Sequence, residues 1–580
     1  MFNQKTMEKN IIEKANHWLS NDFDNDTRNK VKELLKKNNN DLIEAFYKDL
    51  EFGTGGLRGI MGVGTNRMNK YTVGLATQGF CNYIKKSFPN EKQHKIAIAY
   101  DSRNNSRLFA QTSADIFSAN GFTVYLFDDL RPTPELSFAI RHFSCHGGIV
   151  ITASHNPKEY NGFKAYWNDG AQLIAPHDKN VISEVQKLTI KDINFRANPK
   201  LINKIGHDID KIYLQKIKSL SLSQNEIKKH KNIKIVYTPL HGTGITLVPD
   251  ALKNLGFENI DIVKKQAVAD GNFPTVKSPN PEEHAALEMA LKQAEETNAD
   301  LVLATDPDAD RVGIAIRNNN NKLILLNGNQ TGTIIINYIL EKWKQNNKLT
   351  GKEYIVKTIV TTELITKIAK HYNVEIFDVL TGFKFIADII KQNENNKTFI
   401  AGGEESYGYL AGEFVRDKDA VISCSIIAEA FAYYTDKGQS LYNTLITIYK
   451  TYGFYKETLI SVVKKGKSGT DEIQKIMDTL RNNPPEKINN SDIIKIYDYQ
   501  KSLCFDIKNK KQTEIKLPKS NVLQFITADD SKISIRPSGT EPKIKFYISV
   551  NTALPSIENY EKTNNYLNIK IENIKNELKF

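Results

Sequence analysis

Cysteine is scarce in this chain, and a long apolar run is missing altogether. The four cysteines among 580 residues lie far apart and form no C-x-x-C pair, so neither a disulfide framework nor a zinc site is indicated. No apolar stretch approaches the ~20 residues of a membrane span. The first residues, MFNQKTMEKNIIEKANHW, lack the apolar core of a secretory signal. We therefore expect a cytoplasmic protein with no membrane partner.

A basic cluster is also missing, although the net charge is +12. The lysines are spread through the whole chain beside many asparagines and isoleucines, with no basic tail and no arginine-rich block. A nucleic-acid-binding protein is expected to concentrate its positive charge in a patch. A diffuse positive field would instead attract a small anionic substrate. We therefore expect no nucleic-acid partner.

Helix and strand patterns alternate through most of the chain. The length exceeds what one hydrophobic core organises, and the first 50 residues show the spacing of two amphipathic helices. Strand–helix–strand units then recur three times, which favours parallel sheets. After about residue 460, linker-like stretches and short alternating strands precede a closing charged helix. We predict an α/β fold of three similar α/β domains with mixed or parallel sheets, plus a smaller C-terminal α+β domain.

The composition shifts suggest four units. Residues 1–205 comprise the N-terminal helices and α/β domain I, and residues 206–326 form α/β domain II. Residues 327–460 form α/β domain III, and residues 461–580 hold a linker and the C-terminal α+β domain IV.

A buried strand runs directly into a polar loop at residues 147–167, GGIVITASHNPKEYNGFKAYW. Ser154 follows the apolar, β-branched run, and Lys164 stands ten residues further on. An ordinary exit from a strand would explain this pattern, and so would a nucleophilic serine held at a rigid strand end. The serine does not lie in a G-x-S-x-G elbow.

Three aspartates alternate at the end of a second apolar strand, in LVLATDPDADRVGIAI. In an extended backbone, alternate side chains point the same way, so Asp306, Asp308 and Asp310 can converge on one point. A solvated acidic turn is the alternative, and an EF-hand is excluded because its glycine and glutamate positions are Arg311 and Arg317. Mg²⁺ fits such a site if an anionic ligand such as a phosphate completes its coordination.

Two further segments carry groups that recognise phosphates or sugars. SIRPSGTEPKIKF, residues 534–546, combines a turn with an arginine, hydroxyls and lysines, as a phosphate dianion requires. AGGEESYGYL, residues 401–410, offers carboxylates and a hydroxyl after a strand. A plain turn would explain the first segment equally simply.

The motifs TASHNP, DPDADR, GGEES and RPSGTEP stand in this order along the chain. Together they resemble the α-D-phosphohexomutase superfamily, over nearly the whole chain from FGTGGLRG to RPSGTEPK. YTPLHGTG and GNFPTVKSPNPEE are most similar to its long phosphoglucomutase branch. The resemblance implies four domains around a central cleft, each contributing one loop.

The implied activity is that of a phosphoglucomutase, an intramolecular phosphotransferase that moves phosphate between C1 and C6 of glucose phosphate. The resemblance makes Ser154 a phosphoserine and glucose 1,6-bisphosphate the intermediate and activator. Mg²⁺ would be held by the three aspartates together with the phosphate on Ser154.

The resemblance also implies catalytic roles for three cations. Lys164 would act in acid/base steps, for which the site would have to depress its pKa from ~10.4. Arg311 would close the metal loop and bind the same phosphate. Lys418 matches a lysine of phosphoglucomutase-like members, whereas some relatives place a histidine in the sugar loop. His155 is expected to orient the serine loop rather than to react.

The substrate contacts are implied in the same way. The predicted sugar contacts are Glu404 and Ser406, with Lys384 in the neighbouring segment GFK. The predicted grip on the non-reacting phosphate consists of Arg536, Ser538, Gly539, Thr540 and Lys543. Arg58 and Arg103, each in a Gly- or Ser-rich loop, are further predicted substrate contacts.

Three alternatives remain open at this point. A mannose- or pentose-phosphate mutase of the same family would differ in the sugar loop. A metal-dependent phosphohydrolase would use the same serine and metal parts but would not need the separate phosphate grip. A basic nucleic-acid-binding protein would keep a salt-dependent affinity for DNA or RNA after Ser154→Ala. We expect a small sugar phosphate as the partner and a monomer or homodimer.

Overall fold

The structure is a computed structural model that describes residues 2–37, 40–53, 56–464, 466–538 and 543–578. Three helices open it: α1 (Phe2–His17), α2 (Asn25–Lys37) and α3 (Asn40–Phe46). Two helices were predicted here, and the stretch predicted as the second one, residues 31–50, contains the end of α2 and all of α3. In the sequence an asparagine run, of low helix propensity, separates them. Trp18 and Phe23 pack on Tyr71 and attach these helices to the first α/β unit.

The first sheet has six strands in the order β1-β5-β4-β2-β3-β6. Its strands are β1 (Gly56–Ile60), β2 (Lys95–Tyr100), β3 (Thr123–Phe127), β4 (Gly147–Ile151), β5 (Tyr160–Trp167) and β6 (Ile202–Ile205). Its helices are α4 (Lys70–Ser87), α5 (Ser106–Ala119), α6 (Thr133–His142) and α7 (His177–Gln186). The strands β2, β3, β4 and β6 are parallel, and β5 runs antiparallel between β4 and β1.

The second sheet has five strands in the order β11-β10-β9-β7-β8. Its strands are β7 (Ile235–Thr238), β8 (Ile260–Ile262), β9 (Leu301–Thr305), β10 (Val312–Arg317) and β11 (Leu323–Leu326). Its helices are α8 (His207–Ser219), α9 (Gln224–Lys229), α10 (Val248–Leu255), α11 (Lys264–Ala267) and α12 (His284–Glu296).

The third sheet has four strands in the order β13-β12-β14-β15. Its strands are β12 (Glu353–Thr358), β13 (Glu375–Val379), β14 (Thr398–Gly403) and β15 (Tyr409–Ala411). Its helices are α13 (Gly328–Gln345), α14 (Leu364–His371), α15 (Phe383–Asn393), α16 (Ala420–Asp436) and α17 (Leu441–Tyr452).

The C-terminal sheet is antiparallel, in the order β16-β23-β22-β21-β18-β19-β20 with β17 beside β18. Its strands are β16 (Phe454–Val463), β17 (Lys487–Ile488), β18 (Ser491–Asp498), β19 (Leu503–Asp506), β20 (Lys511–Glu514), β21 (Leu523–Thr527), β22 (Lys532–Pro537) and β23 (Lys543–Thr552). Two helices accompany it, α18 (Gly466–Asn482) and α19 (Tyr560–Glu577). The stretch expected to be a linker is therefore largely α18, and β16 begins before the predicted boundary at 460.

Short 3-10 helices complete the described chain: Ile190–Asp192, Pro199–Leu201, Thr243–Thr246 and Ile557–Asn559. Among the described residues, no helix is both long enough and apolar enough to cross a bilayer.

The central strands explain the apolar runs in the sequence. Every residue of β4, β7 and β9 is buried, as expected for parallel strands that are covered on both faces by helices. Polar residues lie in the loops that follow these strands. The predicted α/β architecture with a distinct C-terminal unit is confirmed.

Candidate active site

A polar cavity of about 790 Å³ lies where the loops of the four sheets meet. Most residues singled out in the sequence line it, although they come from distant parts of the chain. These are Arg58, Ser154, His155, Lys164, Asp310, Arg311, Glu404, Ser406, Lys418, Arg536 and Lys543.

Ser154 follows β4 in a left-handed backbone conformation with φ of 50°. This conformation is uncommon for a residue other than glycine. The Oγ atom donates to Oδ2 of Asp306 at 2.7 Å and lies 3.2 Å from Nδ1 of His155. Burial, followed by the charges of Arg311 and Arg58, lowers the pKa of His155 well below its ordinary value. A neutral His155 suits the expected orienting role.

Arg103 and Asp101 hold the serine loop from behind. The buried carboxylate of Asp101 accepts from Oγ1 of Thr152 at 2.7 Å, and Oγ1 of Thr152 in turn accepts from the backbone N–H of Ser154 at 2.9 Å. The guanidinium of Arg103 donates to the carbonyl oxygens of Ser154 and Pro157, at 2.6 and 2.9 Å. Its side chain is 0% exposed. The structure thus assigns Arg103 to loop support in place of the predicted substrate contact.

The aspartate cluster, Asp306, Asp308 and Asp310, follows β9 and is buried. One ligand atom from each residue lies within 4.8 Å of the others. The backbone N–H groups of Asp310 and Arg311 both donate to Oδ1 of Asp306 at 3.1 Å, which fixes the turn. The left-handed Ala309 within it has φ of 50°.

The donor set of this cluster fits a divalent cation. The Oδ1 atoms of Asp308 and Asp310 are buried without a hydrogen-bond partner among the described residues, an arrangement that is costly unless another group satisfies them. Burial, followed by the carboxylates of Asp308 and Asp310, raises the pKa of Asp306 well above its ordinary value. Hard cations such as Mg²⁺ bind carboxylate oxygens of this kind.

Two lysines offset part of the negative charge of the cluster. Lys164 on β5 donates to Oδ2 of Asp308 at 2.7 Å, and Nζ of Lys418 lies 3.2 Å from Oδ2 of Asp310. Burial lowers the pKa of Lys164, but the carboxylates of Asp308 and Asp310 outweigh it, so the pKa is raised. The expectation of a depressed pKa is therefore wrong. The lysine is an ammonium ion that compensates buried negative charge.

Arg311 and Arg58 add positive charge at the cavity wall. Arg311 donates to Oε1 of Glu282 at 2.5 Å, and Arg58 on β1 donates to Oδ1 of Asn156 at 3.4 Å. Both residues line the cavity together with Ser154. Glu282 was not singled out from the sequence.

The sugar loop follows β14. Glu404 lines the cavity and accepts from the backbone N–H of Gly382 at 2.9 Å. The neighbouring Glu405 is tied to Oγ1 of Thr358 at 3.1 Å. A Cβ on Gly408 would lie 2.1 Å from Cδ of Lys418, so glycine is required for the lysine to pass.

Lys384 lies outside this cavity. It borders a small recess beside Trp167 and His177, and its Nζ lies 5.3 Å from the ring centre of Phe385. Gly382 and Phe383 line the cavity instead. The structure thus places Lys384 outside the lining of this cavity, and its sugar contact stays a prediction.

The C-terminal sheet also supplies cations to the cavity. Arg536 lies near the end of β22, Lys543 begins β23, and the backbone N–H of Ser538 donates to the carbonyl of Lys543 at 2.8 Å. The predicted grip residues Gly539 and Thr540 lie outside the described residues.

Lys545 and Tyr547 on β23 also line the cavity, although they were not predicted from the sequence. Burial and the nearby charges of Lys543 and Arg536 lower the pKa of Lys545, as expected where cations gather at an anion site. The structure therefore adds Lys545 to the cations that face the cavity.

Two signals in the sequence could have identified the missed residues. Lys545 lies two positions after Lys543 on a predicted strand, so both side chains share one face. Asp101 follows a buried strand in the same way as Ser154 does. By contrast, the contact of Glu282 with Arg311 joins two loops, and no local pattern predicts it.

Three models of the phosphoglucomutase/phosphomannomutase family match this chain. Its α/β/α domain I matches residues 49–191, domain II residues 211–320 and domain III residues 327–452. A phosphoglucomutase of Staphylococcus aureus strain MSSA476 is 38% identical over 550 residues, which cover 94% of this chain and 96% of that protein. A phosphoglucomutase of Staphylococcus haemolyticus is 38% identical over 521 residues, covering 90% and 92%.

Solved structures show the same fold at low identity. A putative phosphomannomutase from Thermus thermophilus aligns with a TM-score of 0.65 at 18% identity, covering 88% of this chain and 96% of that one. The parafusin phosphoglucomutase of Paramecium, in an open form, gives 0.65 at 17% identity, covering 91% and 96%. The matched domains and the long alignments confirm the resemblance found in the motifs, and the chain belongs to the phosphoglucomutase/phosphomannomutase family.

Proposed function

We propose that the protein is a phosphoglucomutase, which moves a phosphoryl group reversibly between C1 and C6 of glucose phosphate. The observation that carries this proposal is the position of Ser154 Oγ, 2.7 Å from Oδ2 of Asp306 in a buried carboxylate cluster. The cations of the C-terminal sheet line the same cavity. The relatives named phosphoglucomutase, aligned over most of the chain, support the choice of glucose.

Phosphoserine at Ser154 is the proposed resting form, with Mg²⁺ held by the aspartate cluster and the serine phosphate. When bound, the metal ion would neutralise the phosphate charge of about −2 and stabilise the transferring group. The two buried Oδ1 atoms of Asp308 and Asp310, which have no hydrogen-bond partner among the described residues, support this assignment.

The first transfer breaks the bond between phosphorus and Oγ of Ser154 and forms a bond from phosphorus to a sugar hydroxyl oxygen. That hydroxyl loses its proton, and Oγ gains one. Lys164 is held as an ammonium ion between Asp308 and Asp310. It lines the cavity together with Ser154, and we assign it the donation of a proton to Oγ and the recovery of one from the hydroxyl side. The second transfer reverses these bonds at the other end of glucose 1,6-bisphosphate.

The remaining residues orient the substrate. Arg536 and Lys543, with Lys545 added by the structure, would grip the phosphate that does not react, because guanidinium and ammonium groups bind phosphate oxygens strongly. Glu404 and Ser406 would bind the sugar hydroxyls. Positioning of this kind accounts for much of the rate of phosphoryl transfer.

A coupled assay tests the proposal. Purified protein with Mg²⁺ and a trace of glucose 1,6-bisphosphate is given glucose 1-phosphate, mannose 1-phosphate or ribose 1-phosphate. Ser154→Ala should abolish the activity. Ser425→Ala is the matched control, because its buried hydroxyl bonds within α16, to the carbonyl of Val421 at 2.9 Å.

Each outcome has a distinct meaning. A preference for glucose 1-phosphate that disappears in Ser154→Ala supports the proposal. A preference for mannose or ribose 1-phosphate retains the mechanism and moves the specificity to residues 403–409. Release of free phosphate without isomerised product contradicts the proposal and indicates a phosphohydrolase.

A further inference from the structure

The lysine loop, residues 416–419, is held in place by side chains from other parts of the chain. Oγ of Ser137 on α6 accepts from the backbone N–H of Arg416 at 2.9 Å. The hydroxyl of Tyr213 on α8 donates to the carboxylate of Asp419. The backbone of this loop is therefore fixed on both sides of Lys418.

Asp417 is the residue of this loop that contacts the lysine itself. Its Oδ1 accepts from the backbone N–H of Lys418 at 2.8 Å and lies 3.2 Å from Nζ of the same residue. Its Oδ2 accepts from the hydroxyl of Tyr166 at 2.7 Å. The two carboxylate oxygens of Asp417 thus have different partners: Oδ2 contacts Tyr166, and Oδ1 contacts Lys418.

Tyr166 connects this loop to the serine side of the cavity. It is fully buried on β5, two residues from Lys164, so the two side chains share one face of the strand. Nε2 of Gln172 donates to its hydroxyl at 3.3 Å. Burial and the charge of Asp417 raise the pKa of Tyr166 well above its ordinary value, so the hydroxyl keeps its proton and acts as a donor.

The second carboxylate near Lys418 belongs to the aspartate cluster. Nζ of Lys418 lies 3.2 Å from Oδ2 of Asp310 and 3.2 Å from Oδ1 of Asp417. Asp310 is a proposed metal ligand, whereas Asp417 lies outside the cluster. Asp417 therefore provides the contact that holds the lysine when Asp310 is shared with a cation.

We propose that Tyr166 and Asp417 are positioning residues that hold Lys418 against the cavity during phosphoryl transfer. This inference rests on the proposed mutase function. The hydrogen bond between Tyr166 and Asp417 would affect the rate of phosphoryl transfer by keeping Lys418 in position. A small displacement of a catalytic group slows transfer strongly.

Tyr166→Phe removes only the hydroxyl, and Tyr338→Phe is its matched control. Tyr338 is equally buried, and its hydroxyl donates to Oγ of Ser223 at 2.8 Å. We expect Tyr166→Phe to lower kcat about tenfold or more, as for loss of a hydrogen bond to a charged group, with KM changed less than about twofold. Tyr338→Phe should leave both constants close to wild type.

A double variant shows whether the tyrosine acts through the lysine. In a Lys418→Met background, Tyr166→Phe should lower kcat by less than about twofold, because coupled residues are not additive. Equal losses in both backgrounds would overturn the inference, as would an unchanged kcat in Tyr166→Phe. If Tyr166→Phe does not fold, Asp417→Asn replaces it and should give the same pattern. A wild-type protein without mutase activity would instead refute the proposed function.

Discussion

A buried ionic contact joins the C-terminal sheet to the third sheet, and its removal should have an asymmetric cost. Nζ of Lys532 on β22 donates to the carbonyls of Ile359 and Thr361, at 3.0 and 3.3 Å, and to Oε1 of Glu363 at 2.6 Å. Glu363 also pairs with Lys357 at 3.0 Å. One carboxylate therefore serves two buried lysines.

The loss in the free energy of unfolding depends on which partners remain after each substitution. Lys532→Met leaves Glu363, whose side chain is 35% exposed, paired with Lys357, so we expect a loss of about 2 kcal/mol from the broken hydrogen bonds. Glu363→Gln leaves Lys532, 7% exposed, without this carboxylate, whereas Lys357 keeps Asp378 at 2.6 Å. An unpaired buried charge makes this loss larger, about 3 kcal/mol. The double variant has no such unpaired charge and should be more stable than Glu363→Gln alone.

Urea denaturation of the three variants measures the free energies of unfolding. Lys570→Met is the control, because Lys570 pairs with Asp529 at 2.8 Å within the C-terminal unit. Lys532→Met should also raise KM for glucose 1-phosphate, since β22 carries Arg536, whereas the control should not. A double variant less stable than Glu363→Gln would refute the reasoning.

Three further predictions concern the cavity and its surroundings. Asp308→Asn should weaken Mg²⁺ binding in calorimetric titration and lower kcat on the order of 100-fold; unchanged binding would exclude the cluster as the metal site. Gly408→Ala should lower kcat at least about tenfold, because its Cβ would lie 2.1 Å from Cδ of Lys418 and would displace the lysine; an unchanged kcat would contradict this. Burial raises the pKa of Asp419 from 3.8 to about 7. The folded state therefore loses stability as pH rises through that range, and the stability of Asp419→Asn relative to the wild type should rise by at least about 1 kcal/mol from pH 4 to pH 8. Equal effects at both pH values in thermal unfolding would contradict this assignment.

The sequence predicted the parts of the site that depend on one strand and the loop after it. Ser154 and the aspartate cluster each follow a fully buried strand, and polar groups at such strand ends have few places to lie other than the shared edge of the sheets. Their convergence therefore followed from local pattern and family resemblance together.

The direction of a single long side chain could not be predicted from the sequence. Arg103 turns inward to the carbonyls of the serine loop. Lys384 lies in the first turn of α15, where adjacent residues point about 100° apart, so Phe383 reaches the cavity and Lys384 does not. The residue type at a motif position does not determine where its side chain points, because contacts with residues distant in the sequence select the rotamer.

Charge balance supports the proposal that a phosphoserine and a divalent cation occur together in this site. The three carboxylates of the aspartate cluster face two lysines, Lys164 and Lys418, which leaves a surplus of one negative charge and accords with the raised pKa of Asp306. A phosphate on Ser154 adds a charge of about −2, and Mg²⁺ cancels it. The phosphate without the cation would leave a charge of about −3 in a buried place, which is costly. The metal ion and the phosphate should therefore bind cooperatively, and phosphorylated protein should bind Mg²⁺ more tightly than Ser154→Ala in calorimetric titration. Equal affinities would show that the aspartates hold the ion without the phosphate.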